Sequence, residues 1–350
     1  MPRESHRPTA ALVLEMNNLR SGEEEQSVTS LERLLQHLQA QTRPLPSLAE
    51  LVITHDGLPA ESLARLEQAA GRPVRFVAIQ GEDGYYTAKN RGFEATRADV
   101  VVFGDADCWP VPRWLEALLA PFESEAGTLV AAGRTTYRED LLGAASTTID
   151  FMYFDSPLGE GCTRNFYANN VAFRREVFER HGYLSEQHIY RGHCQVLGLR
   201  LQAAGVPVRF VPEARTVHRF PDSLRDFARL RLLRGADAHE LTPHLARAYL
   251  PPSWQWLGDI RPAASMAVLT ARLGMSLRAL NHQDLPPVKG VRRAACVGAI
   301  VGLSLVDVAG ALAGATGLGR PRVRDGALAD EGLGYHTNRD GLTDAAQATA

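Results

Sequence analysis

Two aspartates, Asp105 and Asp107, stand two positions apart at the end of the run Val100-Val101-Val102-Phe103-Gly104. Three β-branched residues and a Phe mark that run as a short buried strand. In an open α/β sheet, ligands bind in the crevice beyond the carboxyl ends of the strands. Carboxylates at such an edge are hard oxygen ligands suited to Mg2+ or Mn2+, with a diphosphate completing the coordination. An isolated Asp-x-Asp is also an acidic turn that closes a strand, so the surrounding elements must decide between the two readings.

The chain has 350 residues, 45% hydrophobic and 22% charged, enough for one large domain with an appendage. A formal net charge of −2, with no basic block interleaved with aromatics, predicts no nucleic-acid partner. Cys108, Cys162, Cys194 and Cys296 are scattered without metal-type spacing, which argues against a zinc site or disulfide framework and for a reduced compartment. Residues 1–9 are polar and hold no apolar core of signal-peptide length, so the expected location is cytoplasmic.

Strands and helices alternate around the acidic pair. Residues 10–14 are an apolar run ending in Glu15, and residues 28–38 place Leu31, Leu34, Leu35 and Leu38 at helical spacing. Residues 48–54 read as a second strand, closed by His55-Asp56-Gly57. A helix at 61–70, a strand at 74–79 and a helical segment at 87–96 follow. After the Asp105 strand comes a helix at 112–119, with Pro112 early, where proline is tolerated. This alternation argues for a parallel α/β sheet whose polar junctions gather at one edge. Further on, strands are predicted at 130–132, 166–173 and 208–211, and helices at 174–181 and 195–204, with an aromatic-rich segment at 150–155.

Several segments, in order, resemble the family 2 glycosyltransferases. Leu12-Val13-Leu14 is similar to the opening strand, and Ile53-Thr54-His55-Asp56-Gly57 to the Asp-Asp-Gly segment. Ala88-Lys89-Asn90-Arg91-Gly92 resembles the Ala-Arg-Asn-x-Gly helix start, and Val101 through Asp107 with Pro112 and Trp114-Leu115 the metal-binding strand and next helix. Ala168-Asn169-Asn170-Val171-Ala172-Phe173-Arg174-Arg175 resembles the acceptor-side strand, and Leu199-Arg200-Leu201 through His218 the final segment. The resemblance implies a Rossmann-like GT-A domain over residues 10–222 with a mixed, mostly parallel sheet, followed by a helical C-terminal region at 223–319 and a disordered tail at 320–350.

It also implies a divalent cation, Mn2+ or Mg2+, and a nucleoside-diphosphate sugar donor. Asp56 would meet the base or ribose, and Lys89 and Arg91 the diphosphate, at a helix N-terminus that favours anions. Asp105 would bind ribose or the metal's water shell, Asp107 the metal directly, and His218 would be a third ligand. Asn169, Asn170, Arg191 and the aromatic residues 151–154 would face the acceptor, a saccharide, lipid or other hydroxyl compound. Turn, solvated-helix and core-histidine readings remain open for Asp56, for Lys89 with Arg91, and for His218.

Two departures from the family pattern stand out. Where the family reads Gly-Glu-Asp, with the Asp as general base of an inverting transfer, this chain reads Arg191-Gly192-His193-Cys194-Gln195. A thiol with a reference pKa of about 8.5 is mostly protonated at neutral pH, so His193 is the candidate base, with simple substrate binding as the alternative role. Glu15 replaces a Pro or small residue and reads either as a hydrogen-bond partner of the nucleotide's base or ribose or as an exposed loop carboxylate.

In the C-terminal third, residues 224–233 alternate Arg with Leu and Phe and read as a basic amphipathic helix. Residues 294–317 are apolar over the length of a membrane span but contain Asp307, costly at a bilayer centre. A helix packed on its neighbours competes with a span. The expectation is a glycosyltransferase held at the inner face of a membrane through residues 224–317. The altered base segment supports a rival, a nucleotide-sugar-binding or scaffold protein without transfer. A nucleotidyltransferase would need a Gly-rich basic loop after the first strand, which Leu19-Arg20-Ser21-Gly22 matches poorly.

Overall fold

The structure is a computed structural model that describes residues 7–16, 24–79, 84–125, 127–183, 192–221, 223–281 and 288–316. Arg191, the 19–22 segment and the 320–350 tail lie outside these residues.

Nine strands among the described residues form one sheet: Ala10–Glu15 (β1), Glu50–His55 (β2), Arg75–Ala78 (β3), Val100–Asp105 (β4), Cys108–Pro110 (β5), Val130–Thr136 (β6), Cys162–Thr163 (β7), Val171–Arg174 (β8) and Val208–His218 (β9). Their order is β3-β2-β1-β4-β8-β6-β9-β5, with β7 added to β9. The first four strands in chain order are parallel, as the alternation predicts. β8 then runs antiparallel between β4 and β6, making the sheet mixed.

β1 and β4 are buried along their whole length, which is why both read as unbroken apolar runs. Their side chains alternate between two cores. Leu12, Leu14, Val100 and Val102 pack under Leu31, Leu35 and Leu38 of helix α1 (Glu24–Gln39) and Trp114, Leu115 and Leu118 of α4 (Trp114–Ser124). Val13, Val101 and Phe103 face the opposite core, with Phe93 of α3 (Tyr85–Glu94), Phe178 of α6 (Arg175–His181) and Leu197 of α7 (His193–Ala203). Helix α2 (Ala60–Ala70) completes the alternation.

Two differences from the sequence expectations shape the site. β9 does not stop near Val211. Its register against β6 jumps from Gly133↔Val211 to Arg134↔Arg215, so Pro212, Glu213 and Ala214 form a bulge and the strand resumes to His218. Pro212 is tolerated because a bulge does not need its missing N–H. The second difference is an additional helix, α5 (Leu141–Asp150), begun by Asp140, whose carboxylate accepts a hydrogen bond from the Gly143 N–H at 2.7 Å.

The C-terminal region is helical: α8 (Leu224–Glu240), α9 (Thr242–Tyr249), a 3-10 segment (Pro252–Asp259), α10 (Arg261–Ala279) and α11 (Gly290–Thr316). α8 is not simply a basic surface helix. The Arg231 guanidinium is fully buried, donating to Asp150 Oδ1 at 2.6 Å and to Asp307 of α11. Arg234, also buried, pairs with Asp150 and donates to the Tyr137 hydroxyl at 2.9 Å. Two arginines thus meet two aspartates, so the cluster is balanced in charge.

The same contact brings α8 and α11 together almost backbone to backbone. A Cβ on Gly235 would lie 2.0 Å from the Asp307 carbonyl oxygen, and one on Gly310 would lie 2.1 Å from that of Leu232. α11 therefore has two faces. Cys296, Ile300, Asp307, Gly310 and Ala311 are buried, whereas Val291, Val301, Leu305 and Leu312 are exposed.

Removing one member of such a buried pair leaves its partner's charge uncompensated, at a cost of roughly 3–5 kcal/mol. Asp307→Ala should lower unfolding stability by about that amount in urea denaturation. A loss below about 1 kcal/mol, the range of exposed pairs, would show that the cluster does not hold α11 in place.

Candidate active site

The carboxyl ends of β1 and β4, the turn after β4, and the β5–β9 pair form one acidic edge. Cys108 stands opposite His218 in the antiparallel β5–β9 register, and the Arg219 N–H donates to the Asp107 carbonyl at 2.8 Å. The continuation of β9 beyond its bulge is what carries His218 to this point. Ligating atoms of Asp107, Cys108 and His218 all lie within 4.8 Å of one another.

His218 Nδ1 is 2.8 Å from the Arg219 carbonyl oxygen, a pure acceptor, so Nδ1 carries the proton. Nε2 then presents its lone pair, 3.6 Å from Asp107 Oδ2. An oriented imidazole beside a carboxylate is a donor set that fits Mn2+ or Mg2+ and leaves positions for diphosphate oxygens. Burial, together with Asp107, pushes the Cys108 thiol well up, so its sulfur stays protonated and is a poor ligand.

Asp105, in contrast, has both oxygens engaged. Lys89 Nζ donates to Oδ1 at 2.5 Å and the Tyr85 hydroxyl to Oδ2 at 2.7 Å, while Lys89 also reaches the Gly104 carbonyl at 3.2 Å. Burial pushes the Asp105 carboxyl up, and the Lys89 ammonium opposes that rise. Burial and the Asp105 charge push the Tyr85 hydroxyl well up, so it stays a donor. Glu15, fully buried at the end of β1, lies in register with Asp105.

The remaining predicted residues separate. Lys89 and Arg91, two apart on α3, point to opposite sides of the helix: Lys89 inward to Asp105, Arg91 to solvent. They do not converge on one diphosphate, and neither lies in the first turn of α3. Asp56 is exposed just after β2. Asn169 lines the central cavity, its Oδ1 accepting from the Thr135 hydroxyl at 2.9 Å. Asn170 is instead a structural link: Oδ1 accepts from Trp114 Nε1 at 2.8 Å and Nδ2 donates to the Ala214 carbonyl at 2.8 Å. Of the aromatic residues 151–154, Phe151 lines the cavity. His193 is 3% exposed and stacks at 4.4 Å between ring centroids on Tyr86, which itself lines the cavity. Cys194 lines the cavity, its thiol pushed up by burial.

Part of the cavity wall comes from residues that sequence reasoning missed. Tyr85, Asp105, Asn169 and His218 face it from the sheet side, and Gly192, Cys194 and Gln195 from the start of α7. Tyr86 and Asp150, Arg234 and Asp237 of α8, Leu241 just after it and Arg272 of α10 also line it. Their sequence signal is weak, because the basic pattern of 224–233 draws attention to a surface rather than to a cavity.

The architecture is that of a GT-A glycosyltransferase fold. The structure superposes on a mannosyltransferase from Pyrobaculum calidifontis, solved with GDP-Man and Mn2+, with a TM-score of 0.55 at 16% identity, covering 89% of this chain and 88% of that one. Residues 25–182 match the family model "Glycosyl transferase family 2", and this segment belongs to that family. A provisionally named glycosyltransferase, EpsH of Bacillus subtilis, is 31% identical over 140 residues, 38% of this chain and 40% of that protein. An undecaprenyl-phosphate 4-deoxy-4-formamido-L-arabinose transferase of Pseudomonas fluorescens is 37% identical over 97 residues, 27% of this chain and 29% of that protein. The matches thus span well under half the length of these curated relatives.

Lys89 is the countercharge of a buried carboxylate. Lys89→Met should cost roughly 3–5 kcal/mol at pH 7. Without the ammonium, burial raises the folded-state pKa of Asp105 further above its unfolded value, so the native state takes up a proton the unfolded chain does not. The deficit should therefore shrink as pH falls through that raised pKa. Denaturation at pH 5 and pH 7 checks this, and a deficit independent of pH would contradict it.

Proposed function

We propose that this protein transfers a sugar from a nucleoside-diphosphate donor to an acceptor hydroxyl with the help of a divalent cation, inverting the anomeric carbon. The observation that carries the reading is the Asp107–His218 pair at the strand ends, whose His218 lines the same cavity as Asp105 and Asn169. Asp107 Oδ2 and His218 Nε2 would hold the cation, which supplies Lewis-acid stabilisation of the departing nucleoside diphosphate. Asp105, kept in place by Lys89 and Tyr85, adds a fixed negative charge at the ribose side of that cation. Asp56, exposed after β2, is suited to the base or ribose, and Glu15 to the same nucleotide from beneath. Arg91 is exposed on the outer side of α3, a position from which a guanidinium would approach the diphosphate. Asn169 would orient the acceptor over Phe151. The glycosyltransferase family match and the nucleotide-sugar complex of the structural neighbour support the reading. The same reading proposes a transferase domain at 10–222 and a helical region at 223–319, supported by the order of strands and helices.

Titration with nucleoside diphosphates and their sugars, with and without Mn2+, tests this. At least one should bind in a metal-dependent way, and Asp107→Ala or His218→Ala should weaken that binding by tenfold or more, about 1.4 kcal/mol. Metal-independent binding, or none, would overturn it.

We also propose that the outer face of α11 rests on an anionic bilayer surface. Val291, Val301, Leu305 and Leu312 are exposed along one stripe, with Gly298 and Gly302 between them, and Lys289 and Arg292 are exposed at its N-terminal end. Such a face binds by apolar burial plus attraction to acidic lipids. Flotation with phosphatidylglycerol vesicles should recover the protein, and Val301→Glu with Leu305→Glu should release it. Unchanged flotation of that variant would refute the assignment.

A further inference from the structure

We infer that Arg272 of α10 binds an anionic group, a phosphate or a carboxylate, on the acceptor of the transfer proposed above, on which this inference rests. The inner face of α10 is marked by Ser265, Val268, Leu269 and Ser276, all buried. Arg272 continues that stripe, three residues after Leu269 and four before Ser276. An arginine on the core side of a helix needs a compensating charge or acceptor, because burying a bare cation is costly.

The protein supplies little of that compensation. Arg272 Nη2 donates to the Ile149 carbonyl over a long 3.4 Å, and its guanidinium carbon lies 5.8 Å from the centre of the Tyr249 ring. Its Nε is buried without a hydrogen-bond acceptor among the described residues. Arg231 and Arg234 of α8, in contrast, meet Asp150 and Asp307 directly. Arg272 instead lines the cavity, so its charge is presented to whatever binds there. A guanidinium offers a planar fork of donors that matches a phosphate or a carboxylate, and the pairing gains strength where water is partly excluded.

The position favours the acceptor over the donor. The Asp107–His218 pair lies at the sheet edge, whereas Arg272 enters from the helical side and reaches the last turn of α5. Phe151 touches both the His218 ring and the Tyr167 ring, at 5.6 and 4.9 Å between centroids. Burial pushes the Tyr167 hydroxyl well up and the Arg272 charge opposes that rise, which sets the guanidinium on the Tyr167 side of Phe151. A donor held at His218 and an acceptor held at Arg272 would therefore meet over Phe151. Ala238, Leu241 and Leu245 line the same helical side and give an apolar part of the acceptor a wall. Asp237 of α8 also lines it, so an anion is favoured toward α10 rather than toward α8.

The test uses the full chain saturated with Mn2+ and the nucleoside diphosphate it binds most tightly. Hexyl phosphate, hexanoate and hexanol, which share one apolar chain, are then titrated in. At least one of the two anions should bind about tenfold or more tightly than hexanol, and the tighter of them names the group. Arg272→Met should weaken that anion by about tenfold or more, and Arg272→Lys should restore part of the loss. Both variants should keep nucleoside-diphosphate affinity within about threefold of wild type, which also shows that they fold. Anions that bind no better than hexanol, or equally well to Arg272→Met, overturn the assignment. An equal loss of nucleoside-diphosphate affinity in Arg272→Met also overturns it, because the guanidinium would then serve the donor. A wild type that binds no nucleoside diphosphate with Mn2+ overturns the transfer reading itself, whereas one that binds it and ignores both anions overturns only this inference.

Discussion

Four buried charges, Arg231 and Arg234 with Asp150 and Asp307, determine how the C-terminal helices meet the sheet domain. Each charge alone would be prohibitively expensive in a core, and together they are tolerable only if the helices carrying them stay in register. Asp150 ends α5, the two arginines lie one turn apart on α8, and Asp307 is central in α11. The cluster therefore fixes three helices against each other, and because Arg234 and Asp150 also face the cavity, it fixes one wall of the candidate site. Hydrophobic packing is non-directional and would permit α8 to slide. Ion pairs whose alternative is a buried bare charge do not.

The opposite wall depends on a second buried charge pair. Lys89 and Asp105 hold the end of β4 close to α3, and Tyr85 closes the arrangement. This frees Asp107, two residues on, to turn toward β9. The bulge that absorbs Pro212 gives β9 the extra length to reach it with His218. Division of labour between the two aspartates thus has a geometric cause: one is an anchored charge in the strand, the other sits in the turn beside an oriented imidazole.

Elements with strong periodicity were legible from sequence. The β1 and β4 runs, the leucines of α1 and the acidic pair all lie where their patterns put them, because a strand buried on both faces and a helix with one apolar stripe leave few alternatives. Partners were not legible. Asn169 and Asn170 are adjacent, and adjacent side chains in extended backbone point apart. One reaches the cavity while the other is tied to Trp114 and Ala214. Lys89 and Arg91 divide in the same way across a helix. The arginines of α8 suggested a surface because the acids that neutralise them are about eighty residues away in each direction, a separation no local pattern reveals.

The same limit bears on the altered base segment. Read alone, Gly192-His193-Cys194 suggests a protein that has lost its chemistry. In the folded chain Gly192 has a different role, since the absence of a side chain there lets Leu241 close against α7 and brings the end of α8 to the cavity. A larger residue would push that helix outward and, with it, the wall that Arg234, Asp237 and Leu241 give the cavity.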